Sequence, residues 1–73
     1  MTNKQIRELL KELSPKPGYI LDLTRAQFEE LVEDVLDIDI SEQPESNANR
    51  LKTLLKNLND EQSALLINAI KES

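Results

Sequence analysis

LTRAQFEELVEDVLD, residues 23–37, decides how this chain is read. Phe28, Leu31, Val32, Val35 and Leu36 recur at i, i+3, i+4, i+7 and i+8, the stripe of one helical face and not the alternation of a strand. Glu29, Glu30, Glu33, Asp34 and Asp37 fall on the other side. Thr24 and Gln27 stand three apart ahead of the apolar run, the spacing of a capping box, and Leu23 and Phe28 hold the two positions of a hydrophobic staple. A helix over about 25–36 with a defined entry follows.

Upstream, Pro17 to Leu23 holds the only glycine, Gly18, and the only tyrosine, Tyr19. Four apolar residues here, Tyr19, Ile20, Leu21 and Leu23, are too few for a sheet without partner strands. They read as an extended arm, about 17–23, laid across a helical core, with Gly18 turning the chain. Ser14-Pro15-Lys16-Pro17-Gly18 is a stop signal, because each proline excludes helical geometry from the residue before it. Before the stop, Thr2 and Gln5 repeat the capping-box spacing, and Ile6, Leu9, Leu10 and Leu13 share a face, so a first helix is expected over about 3–13.

Downstream, Asp37-Ile38-Asp39-Ile40-Ser41 alternates like a strand, and a short pairing with the Tyr19 arm is the only β option. The same string starts like a calcium loop, but its sixth position is Glu42 instead of glycine and its twelfth is Ala48 instead of a bidentate glutamate, so no metal is expected. Residues 41–46 form a polar loop around Pro44, and residues 41–49, dominated by Ser, Asn, Glu and Pro, are expected to be the most mobile segment. Ser46 or Asn47 then caps a third helix, about 47–58, with Ala48, Leu51, Leu54, Leu55 and Leu58 on one face. Asn59 and Gln62 supply another capping box, opening a fourth helix over about 60–71. The link between the last two is so short that an antiparallel hairpin is expected. Leu65, Leu66, Ile67, Ala69 and Ile70 spread over roughly 200° of the fourth helix at 100° per residue, wide enough to leave an apolar edge near Ile67 exposed. The fold class is therefore all-α: a small four-helix bundle with one arm, in a single domain over 1–73.

Composition narrows the function. With no histidine and no cysteine, the commonest general base, the thiol nucleophile and most zinc ligand sets are missing, so catalytic, cofactor and metal residues are expected to be none. A net charge of −5, from nine Lys and Arg against fourteen Asp and Glu, argues against a phosphate backbone as partner. The basic residues Lys4, Arg7 and Lys11, and Arg50, Lys52 and Lys56, would serve nucleic acid only if both groups converged on one surface, with stacking aromatics that the chain scarcely has. Residues 29–45 hold eight carboxylates and no Lys or Arg, so one side of the molecule is acidic. Arg50, just inside the third helix, reads as an internal clamp for the acidic loop through Asp39 or Asp37. No apolar run reaches the roughly 20 residues of a membrane span, and MTNKQIRELL is no signal peptide, so a cytoplasmic chain is expected.

PGYILDLTRAQFEELV, then DIDI, then SNANRLKTLL resembles the N-terminal domain of bacterial abortive-infection proteins of the AbiJ-like group. The positions carrying the likeness are Gly18, Tyr19, Leu21, Asp22, Phe28, Asp39, Ile40, Ala48, Arg50 and Leu51. The resemblance covers about two-thirds of the chain; the loop before Ser46 lacks the family's glycines, and nothing from Asp60 on aligns. LDLTRAQFEELVEDVL is also similar to the opening of small death-like adaptor domains of bacterial conflict systems. Both resemblances imply a non-catalytic recognition or control module, in the first case preceding an effector, so that the chain would be the front of a longer protein or a free-standing version. The partner surface is then expected on the acidic face, Glu29, Glu30, Glu33, Asp34 and Asp37, or at Ile67. Two other classes stay open: a homodimeric structural or regulatory protein and, against the charge balance, a nucleic-acid-binding regulator.

Overall fold

The computed structural model describes every residue from Met1 to Ser73. Four helices follow in order: α1 (Asn3–Leu13), α2 (Arg25–Leu36), α3 (Asn47–Asn57) and α4 (Asp60–Glu72), with no strand between them. Three open on the same device. The Thr2 hydroxyl accepts from the Gln5 N–H at 3.2 Å while the Gln5 amide oxygen accepts from the Thr2 N–H at 2.9 Å. Thr24 with Gln27 and Asn59 with Gln62 form the same reciprocal pair. Each box satisfies two N–H groups that a helix start otherwise leaves unpaired. Ser46 alone caps α3, accepting from the Asn49 N–H.

Eleven apolar side chains form the core: Ile6 and Leu13 from α1, Ile20 from the arm, Phe28 and Val32 from α2, Ile40 from the second connection, Leu51, Leu54 and Leu55 from α3, and Leu66 and Ile70 from α4. Every element contributes, so no helix can leave without uncovering the others' apolar faces. Fully burying one such side chain is worth about 1.5–3 kcal/mol.

Packing differs from the expected order in one respect. α1 lies against α3 and α2 against α4, whereas α3 and α4 do not run side by side as a hairpin. The reason is the link itself. Leu58 (φ −82°, ψ 150°) and Asn59 (φ −74°, ψ 172°) are both extended, so the chain turns a corner and α4 crosses to α2.

The arm also departs from an extended run. Lys16-Pro17-Gly18-Tyr19 closes a turn, with the Tyr19 N–H donating to the Lys16 carbonyl at 3.1 Å, and Gly18 takes φ 84°, as a type II turn with proline second and glycine third requires. A second turn joins Ile20 to Leu23, and Leu21 is held at φ 49° by its N–H on the Leu13 carbonyl at 2.8 Å. A left-handed leucine costs on the order of 1 kcal/mol, offset by seating Ile20 fully in the core. Tyr19, expected to cover the bundle, is instead 56% exposed, because the first turn points it outward. The strand pairing between the arm and residues 37–41 does not form: Asp37 takes the left-handed conformation (φ 57°) and ends α2.

Candidate protein-interaction surface

The surface is set by what lies beneath it, a junction where the arm, α2, the 41–46 loop and α3 meet. Its centre is Arg50, whose side chain is fully buried. Arg50 Nε and Nη2 donate to the Gln43 carbonyl at 3.1 and 2.6 Å, and Nη1 donates to Glu29 Oε2 at 2.9 Å. Nη1 also lies 3.5 Å from Asn47 Oδ1. A buried cation is tolerated only when paired and hydrogen-bonded, and here it has both a carboxylate and a carbonyl. Arg50 is thus a clamp on the acidic loop, but through a backbone carbonyl and Glu29, not through Asp37 or Asp39.

The loop is gripped a second time by Arg25, the first residue of α2, whose Nη1 donates to the Glu45 carbonyl at 2.6 Å and Nη2 to the Gln43 carbonyl at 3.0 Å. The polar segment expected to be most mobile therefore has two guanidinium groups on its backbone. Asn47, buried, donates from Nδ2 to the Leu23 and Thr24 carbonyls at 3.3 Å each, tying the start of α3 to the entry of α2. The Ala48 N–H donates to the Gly18 carbonyl at 3.3 Å. Gly18, Leu23, Thr24, Gln27, Phe28 and Arg50 are all accounted for as fold-forming residues.

Of the five acidic residues nominated on α2, Glu29 is used up by Arg50 and is half-buried. Glu30, Glu33, Asp34 and Asp37 are exposed, and none lies in an ion pair. They occupy i, i+3, i+4 and i+7; Glu30, Glu33 and Asp34 lie on α2 and Asp37 is its C-cap. Beside the row is a shallow depression with Leu23, Leu31 and Val35 in its lining and Glu30, Asp34, Gln27 and Ser73 around them. Ile67 does not join it. That residue is half-buried against the core, and the exposed apolar side chain of α4 is Leu65, 51% exposed.

Asp39 belongs to a turn. Its carboxylate accepts the Ser41 N–H at 2.8 Å, and hydrogen bonds from the Ser41 hydroxyl and then the Ser41 backbone hold its pKa below the usual carboxylate value. No three carboxylates gather in a metal-holding arrangement. No helix is long and apolar enough to cross a membrane.

The glutamate partner of Arg50 escaped sequence reasoning because the two lie 21 positions apart and no spacing rule links them. The basic residues Arg7, Lys52 and Lys56, read from sequence as two separate solvated groups, line one groove together with Asn3, Ile6 and Leu10. Only the pairing of α1 with α3 brings them to one place. Compared with protein-family models, with curated proteins and with solved structures, the chain matches none, so its function is argued from the surface just described.

Proposed function

We propose that the chain is a non-catalytic protein-recognition module that binds its partner through the exposed face of α2. The observation that carries this reading is the row Glu30, Glu33, Asp34 and Asp37, unpaired within the molecule, of which Glu30 and Asp34 border an apolar depression at Leu23, Leu31 and Val35. Carboxylates left without intramolecular cations steer and orient a basic partner, and the adjoining apolar patch gives that partner something to bury. A segment with Lys or Arg flanking aliphatic residues fits this chemistry.

The resemblance to the abortive-infection domains is compatible with this role. Among the positions carrying it, Phe28, Ile40, Arg50 and Leu51 are buried and Gly18 makes a turn, so the likeness concerns the scaffold while recognition is left to the surface. A control or adaptor element of a bacterial anti-phage protein, working in the cytoplasm on a separate or fused effector, is the biological form we favour.

The test is comparative capture. Immobilised wild type and the Glu30→Lys/Glu33→Lys variant, matched by circular dichroism, are exposed to the same bacterial extract. Partners lost with the variant and recovered at low salt by the wild type support the α2 face. An identical partner set with both proteins rejects it.

A further inference from the structure

We propose that the groove between α1 and α3 is a second docking surface, and that its occupant is the α2 carboxylate row of another copy of this chain. Asn3 and Arg7 stand one turn apart on α1, and Lys52 and Lys56 one turn apart on α3, so the two helices present matched polar steps to a shared opening over Ile6 and Leu10. None of Arg7, Lys52 and Lys56 has a carboxylate within ion-pair distance. Like charges around one opening repel, and the fold supplies no anion to relieve them although the chain carries fourteen acidic residues.

The row on α2 has the complementary geometry. Glu30 and Asp34 are separated by four residues of α2, a rise of about 6 Å, which equals the rise from Lys52 to Lys56 on α3. A helix carrying that row can therefore match one carboxylate step to one lysine step. The groove and the α2 depression share no lining residue, so a copy whose groove is filled still offers its own row. Such a contact joins unlike surfaces, and repetition gives a chain or ring of copies, or a reciprocal pair in which each row fills the other copy's groove.

A polyanionic nucleic acid is the competing occupant. It is disfavoured by the net charge of −5 and by a groove lining without any aromatic residue for bases to stack on. The inference rests on the α2 row of the proposed function but names a different partner, and the experiment uses the purified chain alone, so its failure leaves partner capture by α2 to be judged separately.

Sedimentation of the pure chain up to about 1 mM, in about 20 mM and about 500 mM salt, reads the outcome, because an exposed charge contact weakens as the screening length falls. Average mass that grows with concentration at low salt and returns to the monomer at high salt is expected. Lys52→Gln/Lys56→Gln and Glu30→Gln/Asp34→Gln should each weaken association at least about tenfold. Mixed, these two variants retain one working row and one working groove and should form a one-to-one dimer that grows no further. Wild type that stays monomeric at low salt overturns the proposal, as does association that either variant leaves intact. An oligonucleotide retained by wild type and released by the lysine variant, with no self-association, assigns the groove to nucleic acid instead.

Discussion

Replacing Arg50 with alanine isolates the interior clamp from everything else that α3 does. The change removes two of the three hydrogen bonds reaching the Gln43 carbonyl, the one at 3.0 Å from Arg25 remaining, and it leaves Glu29 without its cation. Breaking a buried pair by deleting one partner costs about 3–5 kcal/mol. The Glu29 side chain is 26% exposed and can be partly rehydrated, so the lower end, about 3 kcal/mol, is expected. A domain of this length has a total stability of about 4–11 kcal/mol, so the variant keeps about 1–8 kcal/mol. Where it still folds, the melting temperature drops by at least about 12 °C, at about 4–8 °C per kcal/mol. Urea unfolding followed by helical circular dichroism measures the loss, with the denaturant slope unchanged if both states keep their compactness. A cycle built from Arg50→Met and Glu29→Gln should show a coupling of about 1–3 kcal/mol. A loss below about 1 kcal/mol for Arg50→Ala, together with zero coupling in the cycle, refutes the clamp.

Gly18→Ala should cost about 1–2 kcal/mol through backbone strain alone at φ 84°, because the added Cβ would sit 3.5 Å from Ser46 Cβ, an ordinary contact; chemical denaturation gives the value. Ser63, buried with its hydroxyl unpartnered, should accept alanine at no loss or with a gain of up to about 1 kcal/mol, and a lower melting temperature for Ser63→Ala contradicts this. Asp39 has its pKa lowered in the folded chain, so the stability it adds is present above its unfolded pKa and is lost as pH falls through the folded one. The Asp39→Asn variant and wild type should therefore differ near neutral pH and converge in acid. Ser41→Ala should move the Asp39 carboxyl resonance titration part of the way back up, since the backbone N–H remains.

What the sequence made legible was local. The three capping boxes, the proline stop, the Gly18 turn and the core stripe of α2 each depend on residues within about eight positions of one another, where backbone hydrogen bonding and helical periodicity act directly. What it left dark was set by distance along the chain. The corner at Leu58 and Asn59 and the hairpin first expected there have the same loop length, and only the packing of α4 on α2 distinguishes them. Arg50 was recognisable as a clamp from its residue type and place in α3, yet its acceptors were not, since a guanidinium inside α3 can reach any carbonyl or carboxylate that folding brings near. For the surface, the acid row was readable from residues 29–37, whereas the basic groove combines two helices more than forty positions apart.

The alternation of helix partners, α1 with α3 and α2 with α4, bears on how the molecule is made. A ribosome releases the amino-terminal half first, and through Ser46 that half has both of its helices and neither of their mates. Ile6, Leu13, Phe28 and Val32 then have no permanent cover, and Glu29 lacks Arg50. Because α2 is packed on α4, the core is complete only when α4 is present, and a product stopped before it is expected to be cut by proteases faster than the full fold.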